Sequence, residues 1–432
     1  MSDFRATADR FDRMLAAEKI TKYTYHLSES EKQELNVENG SFKLMRTVFS
    51  QNGSLTVFRD GRKGAAGGND ITEGGLGKLI RDASAAADSS PEDPCHDIAP
   101  DQGKEVFTQG VQEADLDLFV ERIREFLDTV AREYPKVRIM MAIGSFDKWH
   151  WLSRNTNGTE FEGFGGQYGF SAEFSAGDGE ATTGLDYAGF SVKTLDRPLI
   201  EIGDMRKKLE DIQNSIRPRT LEGKFEGTVI LTPGTAAEFL GMLVRNYMGS
   251  SVIMDGTSLW LDKVGEQVAD AKLTVALKPW DDRIISGERG TSDGFRSENV
   301  TLIDRGVLKA HCLNLYAANK TGRPVMKNTS FDLVVEPGDV TLAEMIASID
   351  QGLILGGFSG GQPGTNGEFS GVAKNSFLIE HGKVTGAVTE TMVNGNLGEI
   401  VKHIRAISKE LLADGDMVVP YIAADGVVIS GK

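Results

Sequence analysis

Two glycine-containing turn dipeptides recur at one constant spacing in the first half of the chain, and this repetition constrains the fold strongly. Asn39-Gly40 returns as Asn157-Gly158, and Asp60-Gly61 returns as Asp178-Gly179, in both cases 118 residues later. Asn-Gly and Asp-Gly favour tight hairpins because both residues tolerate a positive φ. The shared offset therefore predicts a duplicated structural unit.

Four stretches with helical apolar spacing flank the strand-like runs between these turns. They are Phe4–Ile20, Gly74–Ala87, Leu116–Glu133 and Ile200–Ile216. We expect two helix–antiparallel strands–helix units, at about residues 1–90 and 115–216, which together form an N-terminal domain over residues 1–216. The acidic, proline-containing segment Ser89–Gln102 is predicted to be the loop that connects them, and Gln51-Asn52-Gly53 is predicted to be a further turn.

The pattern of predicted secondary structure changes after Arg217-Pro218-Arg219, and we place a second domain over residues 217–432. A helical pattern over Thr235–Met248 lies near its start, and short strands with Gly, Asp and Asn turns dominate from Ser258 onwards. The stretch Leu397–Leu412 is predicted to be a final amphipathic helix. The expected fold class is α+β, with a β-rich, barrel- or sandwich-like C-terminal domain that carries a few helices.

Composition and charge argue against several functional classes. The net charge of −16 repels phosphate backbones, so nucleic acid is not an expected partner. No apolar run approaches the roughly 20 residues of a membrane helix, and Met1–Asp12 lacks the apolar core of a signal peptide. Cys95 and Cys312 are too few for a disulfide scaffold or a cysteine-rich zinc site. We therefore expect a cytoplasmic protein that does not bind membranes.

A direct search for catalytic chemistry yields no convincing set. No two of the six histidines are three to five residues apart, so no helix face presents a histidine pair to a metal. The glycine-rich segment Gly356–Gly364 lacks the Lys-Ser/Thr ending of a phosphate-binding loop. Its Gly357–Gly361 stretch formally matches a nucleophile elbow, but Pro363 follows where a helix is required. Paired carboxylates could also support acid–base hydrolysis; the candidates are Asp281, Asp282, Asp293, Glu298, Asp304, Glu380 and Glu390.

Several sequence blocks, spread from about residue 50 to 400, resemble the TldD/PmbA family, also called modulator of DNA gyrase. They are, in the order of the family, Gly53–Asp70, Asn155–Gly158, Leu302–Leu308, Tyr316–Ala318, Thr321-Gly322, Gly367–Ser370, Phe377–Val384, Val388–Thr391 and Gly395–Leu397. Each block is weak alone, but together they are specific.

The resemblance implies one of two related subunit types. The TldD type resembles a zinc protease, with His-Glu-x-x-x-His on a helix and a further cysteine ligand near the C-terminus. In this chain the motif falls on Gly241–Asn246, where Gly241, Met242 and Asn246 replace the first His, the Glu and the second His. The segment Ile407–Pro420 has no cysteine. The resemblance therefore implies the PmbA/TldE type, with no catalytic residue and no metal ligand in this chain.

For this type the resemblance implies a non-catalytic subunit whose partner, a TldD-type chain, holds the zinc and cleaves unfolded or leader-type peptides. A homodimer is the other expected assembly. The apolar stripe on the motif helix is either core packing or a surface that faces a partner or substrate. Candidate groove residues are Tyr247, Gly356, Gly357, Gly360, Gly361 and Ser370, because glycines permit close backbone approach. The alternative hypothesis is a regulatory protein without a protease partner, such as a modulator of DNA gyrase.

Overall fold

The computed structural model describes residues 3–361 and 363–431, and the first half of the chain forms one twisted sheet with four helices. The elements of this half are α1 (Phe4–Ala17), β1 (Tyr23–Glu38), β2 (Ser41–Arg59), β3 (Arg62–Gly68), α2 (Glu73–Ser89), β4 (Lys104–Gly110), α3 (Leu116–Glu133), β5 (Val137–Asn155), β6 (Glu160–Ala176), β7 (Asp186–Val192) and α4 (Met205–Asn214), with a 3-10 turn at Leu199–Glu201. The strand order is β3-β2-β1-β5-β6-β4, and β7 also pairs with β6.

The order helix, three strands, helix occurs twice, as α1-β1-β2-β3-α2 and as α3-β5-β6-β7-α4. Asn39-Gly40 joins β1 to β2, and Asn157-Gly158 lies in the equivalent connection between β5 and β6. Asn39 and Gly40 have φ values of 48° and 74°, and Asp60 and Gly61 have 50° and 74°. Positive φ at both positions is the geometry that tight two-residue hairpins require, so these predicted turns are confirmed.

All four helices cover the same face of this sheet. The buried side chains of α1 and α2, such as Phe11 and Leu76, pack with Leu27 of β1, while Phe119 of α3 packs near Phe170 of β6. Paired strand residues share a face, and successive residues alternate. The opposite face therefore carries the other residues of each strand, and it is rich in serine, threonine and tryptophan. We call it the open face.

The second half forms a larger sheet that shares no strand with the first. Its elements are β8 (Arg219–Thr220), β9 (Lys224–Leu231), α5 (Pro233–Leu243), a π turn (Val244–Met248), α6 (Ser250–Met254), β10 (Val275–Leu277), β11 (Val300–Asp304), β12 (Val307–Leu308), α7 (Leu315–Thr321), β13 (Leu333–Val335), α8 (Leu342–Ala347), β14 (Gln351–Leu355), β15 (Gly357–Gly361), β16 (Glu368–Lys374), β17 (Ser376–Glu380), β18 (Lys383–Thr389), β19 (Met392–Asn396), α9 (Leu397–Ile400), β20 (Ile404–Ala413) and β21 (Val418–Ser430).

The main path of this sheet is β12-β11-β10-β13-β21-β9-β14-β17-β18-β8, and β15, β16, β19 and β20 branch from it or from one another. The mixed α+β fold class with a β-rich second half is confirmed, while the domain boundary near residue 217 stays a prediction. No helix in residues 3–361 and 363–431 is long and apolar enough to cross a membrane.

Two predictions of local structure are wrong. Gln51-Asn52-Gly53 is not a turn but the middle of β2, where each residue pairs with β1. The stretch Leu397–Leu412 is helical only over α9 and then forms β20. Ile404 and Ile407 are three residues apart, and a register shift between Ile404 and Ala406 allows both side chains to be buried. Because a bulge interrupts the two-residue alternation of a strand, this spacing imitates a helical pattern.

The loop between α2 and β4 forms hydrogen bonds with the second half of the chain. The Asp93 carboxylate accepts hydrogen bonds from Tyr316 Oη at 2.8 Å and Lys320 Nζ at 2.7 Å, both on α7. The Lys320 ammonium is the main reason that the pKa of Asp93 lies below its usual range. Farther along the loop, Ala99 N donates to the Asp293 carbonyl at 2.9 Å. The predicted loop at Ser89–Gln102 is thus confirmed, apart from Ser89, which closes α2.

Candidate functional site

The helix that carries the degenerate motif lies in the core of the second half. Pro233 occupies the first turn of α5, where its missing N–H costs nothing and its fixed φ suits a helix. Phe239, Leu240 and Leu243 are buried in the largest apolar cluster of the described residues. The helix then widens into the π turn Val244–Met248, a rare geometry that often marks functional positions.

The three motif positions all lie in this segment, and each has a structural environment of its own. A Cβ at Gly241 would lie 3.4 Å from the Phe331 ring, which is an ordinary van der Waals distance. Met242 is buried, with 2% exposure, on the core side of α5. Asn246 lies in the π turn, and its Nδ2 donates to the Pro363 carbonyl at 2.8 Å. Asn246 therefore connects the helix to the loop of the β15–β16 hairpin.

The glycine-rich segment forms this hairpin rather than a loop. Gly357, Gly360 and Gly361 lie on β15, and Ser370 lies opposite Gly361 on β16, while Gly356 precedes β15. The hairpin packs on α5 through three aromatic rings, with centroid separations of 5.2 to 5.7 Å among Phe239, Phe358 and Phe369. The structure thus brings five of the six predicted groove residues next to the motif helix.

Tyr247, the sixth predicted groove residue, lies in the core. Its side chain has 0% exposure, and its ring stacks on Trp260 with centroids 5.0 Å apart. Burial raises the pKa of its hydroxyl. The apolar stripe of the motif helix is therefore core packing at this position. The accessible part of the predicted groove consists of the exposed hairpin residues Gly360, Gly361 and Ser370.

Removal of the Asn246 side chain should loosen the hairpin. In the Asn246→Ala variant the Pro363 carbonyl loses its partner, at a cost of about 1 kcal/mol for one half-buried hydrogen bond. We expect faster hydrogen exchange of the Gly367 amide, which donates to Gly364 within the same loop. Ser359→Ala, on the exposed side of β15, is the control and should leave this exchange unchanged. Equal exchange in all three proteins would show that Asn246 does not hold the loop.

Comparisons with known proteins identify the family. Residues 223–431 match the model of the PmbA/TldA metallopeptidase C-terminal domain, and residues 27–87 match domain 1 of the same metallopeptidases. The chain belongs to the PmbA/TldD family.

Individual relatives differ in how much of their length is matched. Metalloprotease PmbA of Escherichia coli O157:H7 is 24% identical over 84% of this chain and 82% of its own length. A metalloprotease of Methanocaldococcus jannaschii is 27% identical, but over 48% of this chain and 47% of its own length. The chain thus spans about half the length of that curated relative.

Solved structures of the family share the fold over the whole chain. TldE from Thermococcus kodakarensis superposes with a TM-score of 0.85 at 19% identity, covering 98% of this chain and 100% of TldE. A Bacteroides thetaiotaomicron protein named for modulation of DNA gyrase gives a TM-score of 0.83 at 22% identity, with both chains covered completely.

The metallopeptidase names of the PmbA/TldD family imply a zinc ion, and the residues present do not fit one. Gly241 has no side chain to donate, Met242 offers a buried thioether, and the amide nitrogen of Asn246 is bound to a carbonyl. Zinc in proteases takes imidazole, thiolate or carboxylate ligands. In residues 3–361 and 363–431 there is no group of three or more His, Cys, Asp or Glu residues that could hold a metal.

Other candidate groups are separated from one another. His311 Nε2 donates to the Trp260 carbonyl at 3.0 Å, and burial raises the pKa of the neighbouring Cys312 thiol to about 12, so it is not a thiolate nucleophile. Four of the seven candidate carboxylates are paired with four different bases. These pairs include Asp281 with Arg283, Glu298 with Lys327, Asp304 with Lys309 and Glu380 with Arg219. Ser359 lies within strand β15 and not at a turn between a strand and a helix, so it is not placed as a nucleophile elbow requires.

The sequence reasoning missed a cleft between the open face of the first sheet and residues 286–294. Trp149 and Trp151 of β5 lie there, opposite Gly165 and Gly163 of β6. The sequence does contain an indication of this pairing. Trp149 and Trp151 are two residues apart, and so are Gly163 and Gly165, which lie opposite them on β6. The contribution of residues 286–294 could not be foreseen, because it depends on contacts more than 100 residues apart along the chain.

Proposed function

We propose that this chain is the non-catalytic, PmbA/TldE-type subunit of a cytoplasmic peptidase complex. In this proposal a TldD-type chain supplies the zinc and the hydrolytic chemistry, and the substrates are unfolded or leader-type peptides. The observation that carries the proposal is the motif segment. Of the three positions that would serve the metal, Gly241 has no side chain, Met242 packs in the core and Asn246 anchors the hairpin loop.

A long strand edge supports an assembly with a related chain. Among the residues that the structure describes, strand β3 pairs with residues 53–59 of β2 alone, so residues 41–52 form an edge whose side chains are all exposed. Its apolar side chains have 37–74% exposure; they are Phe42, Leu44, Met45, Val48 and Phe49. Monomeric proteins usually protect such an edge because its unpaired N–H and C=O groups recruit other strands. We call residues 41–52 the β2 edge and propose that a TldD-type chain covers it.

The β15–β16 hairpin supports a role in peptide handling. It lies against the motif helix, and on its outer side Ser359, Gly361 and Ser370 are small, exposed residues. An extended peptide can add to a strand backbone through main-chain hydrogen bonds with little demand on its sequence. In a complex, this hairpin would guide an unfolded chain towards the partner's metal centre.

Co-expression with a TldD-type chain of the same organism tests the assembly. Native mass spectrometry should detect a complex with one copy of each chain, and this chain alone should form a homodimer or remain monomeric. If the two chains do not associate at micromolar concentration, the subunit proposal is wrong.

The second candidate is a regulatory protein without a protease partner. It is favoured by solved relatives named for modulation of DNA gyrase. The acidic net charge of −16 could imitate the charge of DNA. Affinity purification from cells separates the two candidates, because recovery of gyrase without a TldD-type chain favours regulation and the reverse favours proteolysis.

A further inference from the structure

A cleft of about 540 Å³ lies between the open face of the first sheet and residues 286–294 of the second half. Strands β1, β2, β5 and β6 form one wall. The strand backbones of this wall already pair within the sheet, so side chains are left to contact a ligand. These side chains are mainly neutral polar groups and aromatic rings. Ligand sites commonly combine such apolar and aromatic surface with a few well-placed polar groups.

Two indole rings form the floor of this cleft. A Cβ at Gly163 would lie 2.3 Å from the Trp151 ring, and a Cβ at Gly165 would lie 2.0 Å from the Trp149 ring. Each ring therefore lies flat on the backbone of β6, at a position where only glycine leaves enough space. Both tryptophans are half-buried and line the cleft, and His26 and Phe107 flank the Trp151 ring with centroids 5.7 and 6.1 Å away. Flat rings bind well to indole faces.

Arg289 supplies a positive charge without a paired acid. Its Nη1 donates to the carbonyls of Pro279 and Gly287, and its guanidinium lies over the Trp280 ring at 4.2 Å. In the part of the chain that the structure describes, no carboxylate lies within 4.0 Å of its nitrogen atoms, and Asp332 acts on it only from farther away. Burial lowers the pKa of this guanidinium. A half-buried cation in a cavity is stabilised by an anionic ligand.

The other charged groups of the cleft are already engaged. Arg154 pairs with Asp9, Asp12 and Glu160 at 2.7–2.9 Å. The Glu288 carboxylate accepts hydrogen bonds from the Ser297 hydroxyl at 2.6 Å and from the Thr329 amide at 2.9 Å. His26 Nδ1 lies 2.7 Å from Ser153 Oγ, and burial lowers the pKa of this imidazole, so it is neutral at pH 7. Among the described residues that line the cleft, Arg289 is thus the arginine without a carboxylate partner.

We propose that this cleft binds a ligand that carries one carboxylate and one ring, the carboxylate on Arg289 and the ring on Trp149 and Trp151. A guanidinium binds a carboxylate through two parallel N–H donors, and its Nε and Nη2 groups present such a pair. An aromatic residue at a peptide C-terminus and an acidic sugar both carry a carboxylate and a ring, although the sugar ring is puckered and not flat. The volume of the cleft suits one to three such units.

Calorimetric titration of the full chain with matched probes tests the assignment. N-acetyltryptophan and its primary amide differ only in the carboxylate, and glucuronate and methyl glucoside form the corresponding sugar pair. We expect at least one acid to bind about tenfold more tightly than its neutral partner, the difference that one charge-assisted contact gives. Preference for the tryptophan acid indicates a peptide C-terminus, and preference for glucuronate indicates a sugar.

Variants then locate the contacts. Arg289→Gln should abolish the preference for the acid, and Trp149→Leu should weaken both members of the pair. Arg283→Gln, which removes an exposed arginine paired with Asp281, is the control and should bind as the parent protein does. Arg289→Lys keeps the charge and covers the case in which Arg289→Gln unfolds, since it should retain part of the preference. Equal binding of acid and amide, no binding of any probe, or a preference that persists in Arg289→Gln would overturn the proposal.

Discussion

Replacement of Gly64 by alanine is expected to destabilise the first half of the protein by about 3 kcal/mol, the upper range for overpacking of a tight contact. Gly64 lies on β3 where α2 crosses it. A Cβ there would lie 2.1 Å from the Ala83 carbonyl oxygen and 2.2 Å from the Ala87 amide nitrogen. Both neighbours are backbone atoms of α2, so no side-chain rotation can relieve the clash and the helix must move away from the sheet.

Gly67→Ala, three residues farther along the same strand, is the matched control. A Cβ at Gly67 would meet only the Gly53 carbonyl oxygen, at 3.8 Å. The control should therefore lie within about 0.5 kcal/mol of the parent protein. The measurement is the midpoint of urea unfolding for both variants. Equal midpoints for Gly64→Ala and Gly67→Ala would show that β3 and α2 are not packed as described.

Two lysines on the β2 edge should strongly weaken assembly with a TldD-type chain. In the double variant Leu44→Lys, Phe49→Lys, the exposed apolar contacts are lost and two charges are placed where the partner strand would pair. We expect the dissociation constant to rise about a hundredfold, the effect of losing central apolar contacts of an interface. The unfolding midpoint should not change, because both side chains are exposed in the isolated chain.

The control for this variant carries the same change of charge elsewhere. Leu259 and Val264 are exposed apolar residues of the second half, with 59% and 48% exposure. The variant Leu259→Lys, Val264→Lys should assemble normally by native mass spectrometry or analytical ultracentrifugation. If the β2 edge variant also assembles normally, the partner binds elsewhere and the β2 edge is not the interface.

The sequence allowed a good prediction of those parts of the fold that depend on local backbone chemistry. Asn39-Gly40 and Asp60-Gly61 form tight turns because both residues of each pair accept a positive φ. Their repetition at one offset revealed two units with the same element order. Helices such as Leu116–Glu133 were found within a few residues, because their apolar spacing directly reflects the face that packs on the sheet.

Other parts depended on interactions that a local pattern does not contain. Gln51-Asn52-Gly53 has the composition of a turn, but its backbone pairs residue by residue with β1, and this long-range ladder overrides the local preference. The bulges of β20 gave a strand the apolar spacing of a helix. Similarly, the arginine, the tryptophans and the glycines of the cleft belong to distant segments that only the folded chain brings together.

The degenerate motif was recognisable only through the family resemblance, and the structure then gave its residues physical roles. Nothing in Gly241–Asn246 alone points to the metal motif of the family, because none of the three residues is a usual zinc ligand. Met242 packs in the core and Asn246 binds Pro363, so these two residues stabilise the helix and the hairpin.

Zinc analysis combined with a peptidase assay tests the central claim most directly. The purified chain is measured alone and together with a TldD-type chain of the same organism, with an unfolded polypeptide as substrate. We predict that this chain alone contains no stoichiometric zinc and hydrolyses nothing, and that the complex contains one zinc per TldD-type chain and is active. Stoichiometric zinc and peptide hydrolysis by this chain alone would contradict the assignment of a non-catalytic subunit.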